Sequence, residues 1–234
     1  MLPSLEPPYV NERKFSGSAL LLEEVVALLD ARCLPDGMFP LGRVNSLYFD
    51  TPRLRSYQEK AQGDHLKMKV RLRWYGQDGD LPETVPAFLE LKRRIGSARH
   101  KTRHRVEVPR RLLLDTSYAD AAFRNFLAAQ SDALDEPLST EWWPAVQISY
   151  DRLRYADVPS GSRVSVDWNI QAPRFHPEWF PWGVPVELDT LVCEFKNQGG
   201  TPPPWSEAML RAGLRLGSFS KYGECMRRLA AGEP

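Results

Sequence analysis

The sequence predicts an α+β fold dominated by an antiparallel β-sheet that is long enough to close into a barrel of about eight strands. Three observations support this prediction. An amphipathic helix is evident at residues 18–32, β-rich runs recur along the whole chain, and clusters of Pro and Gly separate these runs. The 234 residues are enough for one large domain with a substantial core, so we expect a single domain over residues 1–234.

The predicted elements follow in order from the amino terminus. A short strand at 10–15 precedes the helix at 18–32, whose first turn Ser18 can cap with its hydroxyl group. Longer strands come next, and they are predicted near 43–50, 66–75, 86–93, 101–108, 145–155, 163–170 and 186–197. Further helices are predicted near 118–130, 205–214 and 220–231.

Residues 66–74 alternate between cationic and apolar side chains. In an extended strand alternate side chains share a face, so this strand has one basic face and one apolar face. The basic face carries Lys67, Lys69, Arg71 and Arg73, and the apolar face carries Met68, Val70, Leu72 and Trp74. Like charges roughly 6.6 Å apart repel by about 0.6 kcal/mol in water and by about 2.5 kcal/mol at an effective dielectric of about 20. A concave basic face would therefore need a bound anion.

The same alternation recurs in four later segments, namely FLELKRR, HKTRHRVEV, RVSVDW and LVCEFK. Their charged positions are Glu90, Lys92, Lys101, Arg103, Arg105, Glu107, Arg163, Asp167, Glu194 and Lys196. The periodicity leaves two arrangements open. The apolar faces can converge inside the sheet with the charges in solvent, or helices can cover the apolar faces so that the charges line a wet interior.

The bulk composition argues against several classes of protein. Lys and Arg number 31 and Asp and Glu number 30, so the net charge of +1 predicts no polyanion partner by itself. No apolar run approaches the roughly 20 residues that cross a bilayer, and the amino terminus is unlike a signal peptide, so we expect a cytoplasmic protein with no direct membrane insertion. Cys33, Cys193 and Cys225 have no paired spacing and are expected to be small buried hydrophobic residues.

The order of motifs along the chain resembles that of a known family. The motifs NSLYFDTPRLRSYQEKAQG, KVRLRWYG, FLELKRR and HKTRHR are followed by SYDRLRY, RVSVDWNI, CEFKNQGGTPPPW and FSKY. This ordered set, from about Glu12 to Tyr222, resembles the VTC domain, the polyphosphate polymerase catalytic domain of the triphosphate tunnel metalloenzyme (CYTH-like) superfamily. The resemblance implies an antiparallel eight-stranded β-barrel that forms a tunnel, with helices packed on the outside and basic side chains turned inward.

The resemblance also implies a set of site residues. The positions matched to catalysis are Arg71, Arg73, Lys92 and Glu194. The positions matched to phosphate binding are Lys14, Lys69, Lys101, Arg103, Arg152, Arg163, Lys196 and Lys221. Glu194 resembles the family's metal ligand, and Glu90 is a second candidate ligand for Mn²⁺ or Mg²⁺, which are hard cations that prefer oxygen. Tyr48, Phe49 and Asp50 are expected to be architectural, with Asp50 beginning a turn or capping the next segment.

The activity implied by the resemblance is metal-dependent transfer of the γ-phosphate of a nucleoside triphosphate, ATP, to a growing polyphosphate chain. Two alternatives remain open: a triphosphatase, in which water replaces the phosphate nucleophile, and a non-catalytic module that binds polyphosphate or nucleotide. Nucleic-acid binding is not expected, because the charge is balanced and no stacking aromatic motif accompanies the basic strands. Eukaryotic polymerases of this type carry a phosphate-sensing domain and membrane helices that have no counterpart here, so coupling to membrane transport is expected to need a separate membrane partner.

Overall fold

The structure is a computed structural model that describes residues 10–61, 66–95, 98–130, 141–198 and 203–233. The amino-terminal residues 1–9 and the side chain of Lys67 lie outside this described part of the chain. The strands are β1 (Val10–Gly17), β2 (Leu34–Pro35), β3 (Leu41–Asp50), β4 (Leu66–Tyr75), β5 (Thr84–Ile95), β6 (Ala98–Pro109), β7 (Trp143–Asp157), β8 (Ser162–Phe175), β9 (Val186–Leu188), β10 (Leu191–Gln198) and β11 (Arg215–Leu216). The helices are α1 (Leu22–Asp30), α2 (Arg55–Ala61), α3 (Arg110–Leu114), α4 (Ala121–Ala129), α5 (Ala208–Arg211) and α6 (Lys221–Ala231).

The fold is α+β with a large antiparallel sheet, as the sequence predicts. The chain divides into two compact units, and the long strands β7 and β8 contribute residues to both. The first unit takes the described residues of 1–42, 150–170 and 188–220, and its strand order is β11-β1-β10-β8-β7. The second unit takes those of 43–149, 171–187 and 221–234, and its strand order is β7-β3-β4-β5-β6.

The core of the second unit lies between the apolar faces of β4, β5 and β6 and the helices α3 and α4. In β4 this face consists of Val70, Leu72 and Trp74, which are fully buried. The helices contribute Leu112, Leu113, Phe123 and Leu127 to the same buried cluster. Burial of each such side chain stabilises the fold by about 1.5–3 kcal/mol. Helices therefore cover the apolar face of this part of the sheet, and the charged face is the opposite one.

The first unit repeats this arrangement with different elements. Phe15 of β1, Cys193 and Phe195 of β10 and Val164 and Val166 of β8 form its apolar face. Val25 and Leu29 of α1 and Met209 of α5 belong to the same buried cluster. The choice that periodicity left open is thus settled within each unit, because helices take the apolar side of the strands. Cys33, Cys193 and Cys225 are buried and free, as expected for small hydrophobic residues.

Most predicted elements are confirmed, and the differences have local causes. The hydroxyl of Ser18 accepts a hydrogen bond from the Leu20 amide at the start of a short 3₁₀ turn before α1, as predicted. The single strand predicted over 186–197 is wrong, because the chain turns between β9 and β10. There Asp189 accepts hydrogen bonds from the Ser18 hydroxyl and the Ala19 amide, both at 3.1 Å, so the carboxylate is drawn to the start of that 3₁₀ turn.

The second difference is α2, a helix that the sequence does not predict. Asp50 accepts hydrogen bonds from the amides of Thr51, Ser56 and Tyr57 at 2.8, 2.9 and 3.2 Å. The capping role expected of Asp50 is confirmed, although the segment that it caps is a helix rather than an open turn. Among the described residues, no helix combines the length and the apolar composition that crossing a bilayer requires.

Candidate functional site

The charged face of β4, β5 and β6 brings together the site residues predicted on these three strands. Directly opposite residues in antiparallel strands lie on the same side of the sheet. The register places Glu90 between Arg71 on one side and Arg103 on the other. The next row aligns three lysines, namely Lys69, Lys92 and Lys101. We refer to Lys69, Arg71, Arg73, Glu90, Lys92, Lys101 and Arg103 as the Glu90 cluster.

Glu90 is the buried anchor of this cluster, with 2% of its surface exposed. Its Oε2 atom accepts from Nε of Arg71 at 2.6 Å and lies 2.5 Å from Nη2 of the same guanidinium. Its Oε1 atom lies 3.4 Å from Nζ of Lys101 and 3.5 Å from Nε of Arg103. Burial alone would raise the pKa of Glu90, but Arg71, Arg73 and Lys101 lower it to about 2. Both oxygens are therefore charged and engaged by cations.

Positive charge exceeds negative charge in the Glu90 cluster, since six cations accompany one carboxylate. Only 13% of the Arg71 side chain is exposed, whereas 37% of Lys101 and 40% of Arg103 are exposed. Arg73 is held by the neighbouring strand β3, because its Nε donates to the hydroxyl of Ser46 at 3.1 Å. This face combines arginines that are held in place with lysine and arginine side chains that are more exposed. It is suited to a polyanion, whose oxygens can replace the water that the cations lose.

The first turn of α6 is tied to the same face through aromatic contacts. Tyr222 follows Lys221, the first residue of α6, and its ring stacks on Tyr48 with centroids 4.8 Å apart. Tyr48 in turn accepts from Nη1 of Arg71 at 3.2 Å, and the hydroxyl of Tyr222 donates to Asp50 at 2.5 Å. Although burial raises the pKa of Tyr48, Arg71 and its cationic neighbours lower it further, so the net shift is downward. Tyr48 is thus a contact of the site and not only architectural.

The charged side of the first unit holds a second cluster with nearly balanced charge. The register places Lys14 opposite Glu194, and Glu12 opposite Lys196. Along each strand the signs alternate, with Lys14 Nζ 2.7 Å from Glu12 and Lys196 Nζ 3.0 Å from Glu194. Arg163 is opposite Lys196 on β8 and is exposed.

Arg152 completes this second cluster through a buried carboxylate. Its Nε and Nη2 donate to the two oxygens of Asp167 at 2.5 and 2.7 Å, and Asp167 is fully buried. Burial would raise the pKa of Glu194, but Lys196, Lys14 and Arg152 hold it well below its usual range. We refer to Glu12, Lys14, Arg152, Arg163, Asp167, Glu194 and Lys196 as the Glu194 cluster.

The two predicted metal ligands differ in how well they suit a cation. Both oxygens of Glu90 already contact arginine or lysine nitrogens, so this carboxylate does not fit the role of ligand. Glu194 pairs with Lys196 through Oε1 and keeps its charge. Within the described ranges, no group of three or more His, Cys, Asp or Glu side chains could hold a metal ion. The donor set therefore fits only an ion that brings phosphate oxygens with it, as Mg²⁺ commonly does.

The sequence alone assigns no role to several residues that the register places at the two clusters. Glu12 and Asp167 neutralise Lys14 and Arg152, and strand parity could have indicated Glu12 because it shares the parity of Lys14. Tyr75 lies on the same face of β4 as Arg71 and Arg73, and Phe88 lies on the same face of β5 as Glu90 and Lys92. These two aromatic residues do accompany the basic strands, although they are far apart in sequence.

Comparison with known proteins identifies one family. Residues 34–230 match the family described as the VTC domain. Of the 37 solved chains that match this one, a Vibrio parahaemolyticus protein described provisionally as an adenylate cyclase has 12% identity and a TM-score of 0.46, with 95% of this chain and 99% of that chain covered. No curated protein of similar sequence was found. The assignment to a family rests on the first match, which spans most of the chain.

Proposed function

Because this chain belongs to the VTC domain family, we propose that it is a metal-dependent polyphosphate polymerase that uses ATP. The observation that carries this proposal is the Glu90 cluster, whose six cations and one carboxylate lie on one face of the sheet. Arg105 and Glu107 of the same face form an exposed pair with each other. The face opposite to it is covered by α3 and α4. A cationic surface of this kind needs a ligand with several negative charges along its length, and a phosphate chain has that form.

The catalytic work assigned to the protein is positioning and charge neutralisation, which dominate phosphoryl transfer. Arg71 and Arg73 bind phosphate oxygens with guanidinium groups that Glu90, Tyr48 and Ser46 hold in place. A terminal oxygen of the growing chain attacks the γ-phosphorus of ATP. The bond from that phosphorus to the β–γ bridging oxygen breaks, ADP leaves, and the chain becomes one phosphate longer.

The other predicted cations bind phosphate, each within its own unit. Lys69, Lys92, Lys101 and Arg103 belong to the Glu90 cluster, and Lys221 begins α6. Lys14, Arg152, Arg163 and Lys196 belong to the Glu194 cluster, where carboxylates neutralise much of their charge. We therefore assign the strongest phosphate binding to the Glu90 cluster.

The proposal assigns the metal, Mn²⁺ or Mg²⁺, to Glu194. Bound there with phosphate oxygens, such an ion would polarise the transferred phosphoryl group and neutralise part of its charge. Glu194 suits this role because Lys196 and its cationic neighbours keep it ionised. Glu90 is a positioning residue and not a metal ligand, since it accepts a hydrogen bond from Arg71 and holds that guanidinium group in place.

We further propose that the strands form an eight-stranded tunnel within a single domain over residues 1–234. We also propose a cytoplasmic location and a separate membrane partner. What supports a wet interior is the arrangement within each unit, where helices cover the apolar side of the strands. Charged side chains then lie on the side that the helices leave open. That is the arrangement expected of strands that line a polar bore with their charged face.

The product formed from ATP tests this proposal against its alternatives. Purified protein is incubated with γ-³²P-ATP and Mn²⁺, and the products are separated on a polyacrylamide gel and by thin-layer chromatography. A ladder of long polyphosphate is the expected result. Release of orthophosphate without polymer identifies a triphosphatase, and binding of polyphosphate with no product identifies a non-catalytic module. Either of these results contradicts polymerase activity.

A further inference from the structure

The cationic face of β4 ends at an exposed aromatic ring. Tyr75 shares strand parity with Arg71 and Arg73, and Phe88 lies directly opposite Arg73 on β5. The rings of Tyr75 and Phe88 meet edge to face, with centroids 6.3 Å apart and planes at 71°. Tyr75 is 42% exposed. An aromatic pair thus occupies the end of the row that carries the two arginines.

The contacts of Phe88 fix the position of this pair. The Arg103 guanidinium lies 3.6 Å from the centroid of the Phe88 ring, so it covers one ring face in a cation–π contact. The same guanidinium lies 3.5 Å from Glu90 through its Nε atom. A continuous series of contacts therefore runs from Glu90 through Arg103 and Phe88 to Tyr75. Of the two aromatic residues in that series, Tyr75 is the exposed one and Phe88 is partly buried.

We propose that Tyr75 is a stacking platform for the nucleobase of a nucleoside triphosphate, an inference that rests on the proposed function. Side chains two positions apart on a strand are about 6.6 Å apart, so Tyr75 lies about 13 Å from Arg71 with Arg73 between them. A nucleoside triphosphate laid along β4 places its base on Tyr75 and its phosphates on Arg73 and Arg71. The growing polyphosphate chain has no base and does not use the platform.

The chemistry of the platform also sets its selectivity. Stacking uses the face of the base, which every nucleobase has, and it does not read hydrogen-bonding edges. We therefore expect the platform to distinguish nucleotides from inorganic phosphate chains and to bind ATP and GTP with similar affinity. Tyr75 is exposed, and it lies on the same face of β4 as Arg71 and Arg73.

Calorimetric titrations with ATP and with inorganic tripolyphosphate, both in the presence of a chelator so that no turnover occurs, test this inference. Tyr75→Ala is expected to weaken ATP binding by roughly 5- to 150-fold, the range that corresponds to the loss of a stacking aromatic residue. Its affinity for tripolyphosphate should stay within about twofold of the wild-type value, because Arg71 and Arg73 are unchanged. Tyr75→Phe keeps the ring and should bind both ligands normally. Trp182→Ala, which removes an aromatic side chain that is 86% exposed elsewhere in the second unit, is the matched control.

The two ligands separate failure of the platform from failure of the proposed function. If Tyr75→Ala binds ATP as the wild type does, or loses ATP and tripolyphosphate equally, the platform is overturned while phosphate binding stands. If the wild-type protein binds neither ligand, the platform and the proposed function are overturned together. Loss of ATP binding in Tyr75→Phe would also contradict stacking, because the aromatic face is still present.

Discussion

Arg71 and Glu90 form the buried ion pair on which the charged face of the second unit is built. Two nitrogens of the guanidinium lie 2.6 and 2.5 Å from Oε2 of the carboxylate, and Glu90 is 2% exposed. The pair fixes the orientation of one arginine and leaves the remaining cations of the Glu90 cluster in excess. Removing either partner would leave the other charge buried and unpaired, and the excess of cations around the pair forms a surface suited to an anion.

Glu90→Gln tests the structural part of this role. The substitution keeps the shape of the side chain but leaves Arg71 without its charge partner, so we expect the free energy of unfolding to fall by about 3 kcal/mol. Urea unfolding followed by circular dichroism measures this change. The control is Glu107→Gln, which breaks an exposed pair with Arg105 and should change stability by less than about 0.5 kcal/mol. Equal effects of the two substitutions would contradict a buried pair.

The stability of the protein should depend on pH through Glu90. Its pKa is lowered from an ordinary value of 4.5 to about 2 in the folded protein, so the folded state favours the ionised form. The contribution of Glu90 is therefore fully present above about pH 4.5 and is lost as the pH falls toward about 2. In urea unfolding at several pH values, the difference between wild type and Glu90→Gln should shrink from pH 6 to pH 3. A difference that stays constant over this range would contradict the linkage.

Arg71→Lys and Arg73→Lys should weaken polyphosphate binding even though the charge is kept. A lysine cannot form the two parallel hydrogen bonds that a guanidinium makes to a phosphate group, and we expect a loss of about tenfold for each substitution. Fluorescence anisotropy with a labelled polyphosphate measures the affinity. Arg211→Lys, at an exposed position at the end of α5, is the control and should bind normally. Normal binding by both site variants would remove the assigned role of these arginines.

Glu194→Gln should separate turnover from binding. Product formation from ATP is expected to fall by at least about 100-fold, because the carboxylate assigned to the metal is gone. Affinity for polyphosphate measured with a chelator should be retained, since the Glu90 cluster is intact. Glu12→Gln is the matched control from the same cluster, because Glu12 pairs with Lys14 at a more exposed position, and this variant should keep most of its activity. Full activity of Glu194→Gln would contradict the assignment of the metal.

The sequence predicts the strands of this structure better than it predicts the contacts between elements that are distant along the chain. The bounds of β4 match the prediction at both ends, because Lys67 to Trp74 alternate strictly and both faces of the strand are marked. The same alternation could not decide which face is covered, since that depends on Leu112 and Phe123 of α3 and α4. The break at Asp189 could not be predicted either, because it depends on a hydrogen bond to Ser18, 171 residues earlier in the chain.

The candidate site shows the same division. The cations of the Glu90 cluster are predictable from parity and family motifs, but the partners that neutralise or orient them come from register. Arg152 and Asp167 are 15 residues apart and form a bidentate pair only because β7 and β8 are neighbours. The sequence makes Glu90 a candidate metal ligand because it is a carboxylate among phosphate-binding residues. The structure gives both of its oxygens to Arg71, Lys101 and Arg103.

A crystal structure of the protein with tripolyphosphate tests the central claim most directly. Phosphate density within hydrogen-bonding distance of the Arg71 and Arg73 guanidinium groups, on the charged face of β4, is the predicted result. Density only at other surfaces, with no phosphate oxygen within hydrogen-bonding distance of either guanidinium group, would contradict the claim that this face binds a phosphate chain.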